Sequence, residues 1–157
     1  MAYGERESVR RVRAAVEERG ISAEFVELTE TARSATDAAA ALGVRVEQIV
    51  KSLVFKGAET KRPVLVLASG PNRVDEGKIS SMLDEPVEKA DAAFVREKTG
   101  YAIGGVPPLG HKEAPVTFID EDLLAQDEVW AAAGHTHVVF GVDPAVLGEA
   151  TGAIPVR

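Results

Sequence analysis

The sequence predicts an α/β fold of the α+β type, in which a mixed and partly antiparallel β-barrel is surrounded by short helices. Short apolar segments typical of strands are mixed irregularly with short segments of helical periodicity. The regular strand–helix alternation of a doubly wound fold is absent. No repeat, low-complexity tract or linker divides the 157 residues, so residues 1–157 are predicted to form one domain.

The N-terminal part is predicted to contain two helices and one strand. Residues 5–19 place valines on one stripe of a helix that Gly20 ends. Ala23–Leu28 predicts a strand, although its alternation of apolar and polar residues is not clean. Thr36 is expected to cap a short Ala-rich helix that ends at Gly43.

The middle of the chain predicts two strands and three helices. A short helix around Val46–Val50 precedes a strand at Ser52–Phe55. Pro63–Ala68 is almost continuously apolar, which predicts a strand buried on both faces. Asp75–Leu83 and Asp91–Lys98 are expected to be helices with aspartate N-caps.

The C-terminal part is predicted to be rich in strands. Asp120 is expected to begin a helical turn, and Asp143 with Pro144 to begin a last helix. The strands are predicted at Val116–Ile119, Val129–Ala133, Val138–Val142 and Ile154–Val156.

Composition and charge restrict the classes of function. The chain has no cysteine, which excludes disulfides, thiolate metal sites and a cysteine nucleophile. No apolar run approaches the roughly 20 residues that span a bilayer, and the N-terminus lacks the apolar region of a signal peptide, so a cytoplasmic protein without a membrane partner is expected. The net charge of −7 is unlike that of a general nucleic-acid-coating protein. Residues 45–98 carry ten basic and nine acidic residues, however, so a small basic site could lie there.

The most informative segment is Gly100–Gly110, which contains four glycines. Pro107 and Pro108 fix two φ angles and remove two backbone donors, so the segment cannot be a helix or a central strand. The absence of side chains at Gly104 and Gly105 would let their N–H groups approach an anionic oxygen. The alternative is a plain surface turn between two elements.

Lys51 is the second informative residue. If it begins an extended segment, Lys51 shares one strand face with Leu53 and Phe55. A partly desolvated ammonium group in such a position holds a phosphate more firmly than one in open water does. The alternative is a lysine whose methylene stem only covers apolar surface.

Other polar residues carry weaker signals. The segment Ser69–Asp75 follows a buried strand, where ligand contacts are common, but a plain turn is the favoured interpretation of Asn72 and Arg73. His135 and His137 lack the spacing of a zinc site, and solvated histidines in a hairpin turn are the favoured interpretation. No serine lies in a nucleophile elbow, and no phosphate-binding glycine motif follows a strand.

Four segments in order resemble the YbaK family of aminoacyl-tRNA deacylases, which are related to the editing domain inserted in bacterial prolyl-tRNA synthetase. The segments are Gln48–Phe55, Ser69–Asp75, Thr99–Gly110 and Val129–Gly134. The resemblance extends over residues 31–152, approximately. It implies a YbaK-like mixed barrel ringed by helices, no cofactor and no metal, and the 3′ acceptor end of tRNA as the partner.

The resemblance also implies roles for particular residues. Lys51 matches the lysine that holds the phosphate or ribose of the terminal adenosine, and Gly104 and Gly105 match the loop whose amides face the scissile carbonyl. The ribose hydroxyl of the tRNA activates water, so the family needs no protein base. Residues implied to bind substrate are Thr31, Thr36, Ser69, Gly70, Asn72, Tyr101, Ile103, Val106, Pro107, Pro108, Gly134 and His135. Phe25 or the segment 31–36 is expected to form the wall that sizes the amino acid.

The predicted function is therefore that of a freestanding trans-editing enzyme, which removes alanine or cysteine from mischarged tRNA for proline. Prolyl-tRNA synthetase or an elongation factor is a candidate partner. One alternative is a non-catalytic module that binds a nucleotide or an aminoacyl-adenylate. A small-molecule esterase or amidase is a second alternative, disfavoured because no nucleophile–base pair is evident.

Overall fold

The computed structural model describes residues 6–28 and 34–157. The helices in these ranges are α1 (Glu7–Glu18), α2 (Ala35–Leu42), α3 (Glu76–Leu83), α4 (Ala92–Thr99), α5 (Glu121–Leu124) and α6 (Pro144–Thr151), with a 3₁₀ turn at Val46–Gln48. The strands are β1 (Glu24–Glu27), β2 (Val50–Gly57), β3 (Pro63–Ser69), β4 (Val87–Lys89), β5 (Val116–Asp120), β6 (Val129–His135), β7 (Val138–Val142) and β8 (Ile154–Val156). None of the helices in these ranges is long and apolar enough to cross a membrane.

The described strands form two hydrogen-bonded sheets. The smaller sheet has the antiparallel order β1-β7-β6, and the larger has the order β4-β2-β3-β5-β8. In the larger sheet β3–β5 and β5–β8 are parallel, whereas β2 pairs antiparallel with both its neighbours. A parallel bridge between Ile49 and Trp130 links the two sheets. The mixed, partly antiparallel character is therefore confirmed, while closure into a barrel is not.

Burial on both faces explains the apolar sequence of β3, as predicted. All seven of its residues are buried. Leu65 and Leu67 pack in the main core with α1 and the smaller sheet. Val64 and Val66 pack on the opposite face, in a cluster that includes residues of α3. The larger sheet thus has an apolar layer on each side, so its strands lack alternation of polar and apolar residues.

Local capping chemistry sets the helix ends. The side chains of Asp75 and Asp91 accept hydrogen bonds from backbone N–H groups of α3 and α4, as predicted. The prediction for α2 was wrong in its cap, because Ser34 rather than Thr36 accepts the N–H of Asp37. Ser34 has the extended backbone that an N-cap needs (φ −137°, ψ 169°), whereas Thr36 already lies inside the helix.

Two further elements differ from the prediction. The helix predicted at Val46–Val50 is only a 3₁₀ turn, and Val50 already pairs with Ser69 in the sheet. Strand β4 was not predicted, because its three residues are too few to show a period of two. It is set instead by its antiparallel pairing with β2.

Candidate active site

The loop Gly100–Gly110 contains a tight turn whose shape depends on glycine. The N–H of Gly105 donates to the carbonyl of Ala102 at 3.0 Å, which closes a four-residue turn. Gly104 is its third residue and has φ +93°, as a type II turn requires. Ile103 lies at the tip and is 60% exposed. The amide of Gly105 is therefore engaged, whereas the N–H of Gly104 has no hydrogen-bond partner among the described residues.

The remainder of the loop is held by two side chains. The Tyr101 hydroxyl donates to the carbonyl of Gly110 at 3.1 Å, and its ring lies under the guanidinium of Arg11. Nε2 of His111 lies 2.6 Å from the carbonyl of Pro107. Burial lowers the pKa of His111, while that carbonyl acts in the opposite direction. Both contacts fix the conformation of the loop. Tyr101 therefore supports the loop structurally and is not part of a cavity wall.

Close backbone contacts locate this loop against β6. A Cβ on Gly105 would lie 3.0 Å from the carbonyl carbon of Gly134 and from the nitrogen of His135. A Cβ on Gly134 would lie 2.6 Å from the carbonyl oxygen of Ser8 in α1. Helix α1, strand β6 and the loop therefore approach one another at positions where a side chain does not fit.

Lys51 lies near the start of β2, and its strand face is as predicted. Leu53 and Phe55 pack in the cluster beside α3, whereas Val54 packs against the main core on the other face. The ammonium of Lys51 donates to the carbonyl of Asn72. The lysine is half-buried.

A carboxylate holds the loop that supplies this carbonyl. Oδ2 of Asp120 accepts the side-chain N–H of Asn72 at 2.8 Å and the backbone N–H of Ser69 at 3.0 Å. The other oxygen, Oδ1, caps α5 by accepting the N–H of Asp122. Asp120 thus fulfils the predicted capping role and also sets the position of Asn72 beside Lys51.

Two cavities flank Lys51 and the tip of the glycine loop. They share the wall residues Lys51, Ser52, Leu53, Ile103, Gly104 and Val106. The larger, of about 680 Å³, is mostly apolar and is also lined by Leu28, Ser34, Ala35, Ala38, Ile49, Val50, Trp130, Ala132, Thr136, His137 and Val139. The smaller, of about 380 Å³, is also lined by Val54, Phe55, Arg73, Val74, Glu76, Lys89, Ala90 and Val95.

Four of the predicted site residues therefore meet at the cavities. Lys51, Gly104, Ile103 and Val106 line both of them, although Lys51 and Gly104 lie far apart in the chain. Pro107 and Pro108 are loop residues, and both are buried. Their rings stiffen the loop without lining either cavity.

Other predicted residues have positions inside the fold. Ser69 is fully buried, and its hydroxyl donates to the carbonyl of Glu47. A Cβ on Gly70 would lie 2.3 Å from the carbonyl oxygen of Val46, so Gly70 allows a close backbone approach. Phe25 stacks on Phe140 with ring centroids 5.4 Å apart, and it does not line the cavities.

The predicted wall at residues 31–36 is only partly described. Thr31 lies outside the described residues. Thr36 is exposed on α2, whereas Ser34, Ala35 and Ala38 of the same segment line the larger cavity.

At the β6–β7 turn, Thr136 and His137 line the larger cavity, whereas the predicted residue His135 does not. Nδ1 of His135 accepts the backbone N–H of His137 at 3.1 Å. Burial lowers the pKa of His135, and the charge of Arg6 acts in the same direction. Thr136 and His137 lie at the rim of the larger cavity. The pairing of β6 with β7 shifts register between Ala132 and His135, which changes where these residues lie. In the sequence, Gly134 is the only signal of this shift.

Sequence reasoning also missed two polar groups in the cavity wall. Ser52 and Trp130 line the larger cavity, and the Ser52 hydroxyl and the Trp130 Nε1 are buried without a hydrogen-bond partner among the described residues. Buried polar groups are nearly always paired in proteins. Unpaired ones in a cavity wall favour a ligand that supplies the missing partners.

Comparison with known proteins identifies the family of the chain. The model of the aminoacyl-tRNA editing domain family matches residues 29–149, and the chain belongs to this family. A solved structure assigned provisionally as a trans-editing enzyme for prolyl-tRNA synthetase is 46% identical, with a TM-score of 0.91, and the match covers 97% of this chain and 96% of that one.

Two relatives of different length match this chain over most of its residues. The uncharacterized protein YwhH of Bacillus subtilis is 29% identical over 126 residues, which is 80% of both chains. The proline–tRNA ligase of Lactobacillus helveticus is 34% identical over 119 residues, covering 73% of this chain but 21% of the ligase. The chain thus matches about a fifth of the ligase's length and most of the length of YwhH.

Proposed function

We propose that the protein is a trans-editing hydrolase that deacylates mischarged aminoacyl-tRNA, with tRNA for proline carrying alanine or cysteine as the substrate. One observation carries the proposal: Lys51 and Gly104 line the same two cavities, and the N–H of Gly104 has no hydrogen-bond partner in the part of the chain that the structure describes. A phosphate-binding group and an oxyanion donor that border the same cavities support the hydrolysis of an ester bound between them. Membership of the editing-domain family supports the reaction class.

In this proposal each of the two cavities binds a different part of the substrate. The smaller cavity takes the terminal adenosine, whose phosphate or ribose Lys51 binds. The larger cavity takes the aminoacyl group, since the basic residues Arg73 and Lys89 line the smaller cavity and favour the nucleotide there. The ester carbonyl then lies at the shared wall, beside Gly104.

Hydrolysis requires charge stabilisation more than a protein base. Water activated by the neighbouring ribose hydroxyl attacks the carbonyl carbon, and the N–H of Gly104 donates to the oxygen as it becomes negative. The ester bond to the ribose oxygen then breaks, and that oxygen takes up a proton. The role of Gly105 is close packing against β6, because its own amide is bonded to Ala102.

Such an enzyme compensates for the limited selectivity with which a synthetase binds its amino acid. A synthetase pocket separates side chains that differ by one methylene by only about 1–3 kcal/mol. A second site that hydrolyses the wrong ester therefore adds a further selection step. Prolyl-tRNA synthetase or an elongation factor is the partner that we propose for delivery of the substrate.

A deacylation panel tests the proposal. Alanyl-, cysteinyl-, seryl- and prolyl-tRNA for proline are incubated with wild type, Lys51→Ala and Lys98→Ala, and the remaining ester is measured over time. We expect Lys51→Ala to lose activity by at least about 10²-fold, since a charge-assisted contact to the substrate is lost. Lys98 lies on α4 outside the cavities and pairs with Glu113, so its variant is the matched control. Near-wild-type hydrolysis by Lys51→Ala on every substrate would contradict the proposal.

A binding module is the second candidate function, favoured by the cations around the smaller cavity. Lys51, Arg73 and Lys89 line it, against Glu76 as its acidic residue. Such a cavity suits a nucleotide even without catalysis. Turnover separates the two candidates, because a binder protects the ester whereas an enzyme depletes it.

A further inference from the structure

A third cavity adjoins the proposed active site and is lined by three basic residues. Its volume is about 220 Å³, and Arg73, Lys78 and Arg157 are in its wall. Arg73 also lines the smaller cavity beside Lys51. Arg73 therefore lies where the two cavities meet.

The acidic groups in this wall are already engaged in internal hydrogen bonds. Asp75 caps α3 by accepting the N–H of Lys78 at 3.1 Å. Asp120 accepts hydrogen bonds from Ser69 and Asn72. These carboxylates keep their negative charge, but the three basic residues outnumber them, so the side chains of the wall have an excess of one positive charge.

Arg73 differs from the other two cations of the cavity. Lys78 donates to the carbonyl of Arg157 at 3.3 Å, and Nε of Arg157 lies 3.5 Å from Glu121. Arg73 is exposed, and its guanidinium forms no hydrogen bond or ion pair with another residue in the ranges 6–28 and 34–157. A free guanidinium presents a planar set of donors that matches two phosphate oxygens.

A single residue, Asn72, connects the third cavity to Lys51. The carbonyl of Asn72 accepts the ammonium of Lys51, and Asn72 also lines the third cavity. Arg73 follows Asn72 directly in the chain. A phosphate held by Lys51 and one held by Arg73 would therefore lie on neighbouring parts of the same ligand.

We infer that the third cavity binds the phosphodiester one nucleotide upstream of the terminal adenosine's own phosphate in the single-stranded 3′ end of tRNA, with Arg73 as the main ligand and Lys78 beside it. The inference rests on the proposed function, because it extends the same substrate by one nucleotide. It also gives a common role to Lys51, Arg73 and Lys78 of the middle segment, although the protein as a whole carries a charge of −7.

The test compares two substrates in three variants. Mischarged tRNA contains the upstream phosphate, and the aminoacyl ester of adenosine lacks it. We expect Arg73→Ala to raise KM for the tRNA about tenfold with kcat within about twofold, and to raise KM for the adenosine ester, which has no phosphate, several-fold less. The slope of log KM against log salt should decrease by about 0.7, the value for one single-strand phosphate contact. Arg73→Lys should keep the salt slope, because it keeps the charge.

Arg96→Ala is the matched control, since Arg96 is exposed on α4 and lines none of the three cavities. The inference is wrong if Arg73→Ala behaves like Arg96→Ala on tRNA, or if it loses equal activity on both substrates.

Binding without turnover separates this inference from the proposed function. An oligoribonucleotide ending in cytidine-cytidine-adenosine is titrated by fluorescence anisotropy against each variant. Weaker binding by Arg73→Ala alone supports the inference even if wild type hydrolyses no ester, an outcome that would refute only the proposed function. Equal binding by Arg73→Ala and Arg96→Ala overturns the inference.

Discussion

Gly105→Ala is the most direct test of the loop geometry. The new Cβ would lie 3.0 Å from the carbonyl carbon of Gly134 and 3.1 Å from its oxygen, whereas ordinary contacts are 3.4–4 Å. These atoms belong to the backbone of β6, which is paired with β7. The loop or the strand must therefore move by about 0.4 Å or more.

That movement would displace the neighbouring amide of Gly104 from the carbonyl of the substrate. Complete loss of an oxyanion donor costs about 10²–10³ in kcat. A donor that is shifted but not removed should cost less, and we expect about 10–100-fold, or roughly 1.4–2.7 kcal/mol in the activation free energy. Binding by Lys51 should be nearly unaffected, so KM should change little.

Single-turnover deacylation of mischarged tRNA measures this effect, with thermal unfolding as a check of the fold. Gly148→Ala is the control. Gly148 lies inside α6, and the new Cβ would lie 3.9 Å from Leu124, which is an ordinary contact distance. This control should keep the wild-type rate and gain up to about 1 kcal/mol in stability. A rate for Gly105→Ala within twofold of wild type would show that the loop amides do not act as proposed.

Two further predictions concern pH. Burial lowers the pKa of His111 from 6.5, so the folded state binds its proton less readily than the unfolded state, and stability should fall as pH decreases below 6.5. His111→Gln, which can still donate to Pro107, should reduce the difference in melting temperature between pH 7 and pH 5; an unchanged difference would contradict the assignment. Hydrogen bonds led by the Thr60 N–H lower the pKa of Glu85 from 4.5 to about 2, so its contribution is complete above pH 4.5 and is lost towards pH 2. Glu85→Gln should therefore lower the melting temperature at pH 7 and much less at pH 2.5, and equal losses at both would refute this.

Much of the fold was predictable because its causes are local. Aspartate caps at Asp75 and Asp91 act within one helical turn, and the buried strand Pro63–Ser69 is evident from its composition. Strand β4 and the cap of α2 were not predicted correctly. A three-residue strand has no periodicity of its own, and a serine and a threonine two residues apart offer equivalent caps until the backbone selects one.

The candidate site was predictable to a smaller extent. Lys51 and Gly104 were identified and lie together, but Ser52, Trp130 and Arg73 were missed or assigned to other roles. A cavity wall combines elements that are distant in the chain, so no single segment shows a signal for it. The predicted plain turn is present at Ser69–Asn72, where the N–H of Asn72 donates to the carbonyl of Ser69, but Arg73 follows it and lines the cavities on either side.

The sequence by itself determined the properties that depend on neighbouring residues. These include the shape of the Gly100–Gly110 loop, the strand face of Lys51 and the absence of a nucleophile motif, since φ restrictions and side-chain alternation act over a few residues. Only the tertiary structure decided which amide of the loop is free and which cations share a cavity. Those properties depend on through-space contacts, such as the one between Lys51 and Asn72, 21 residues apart in the chain.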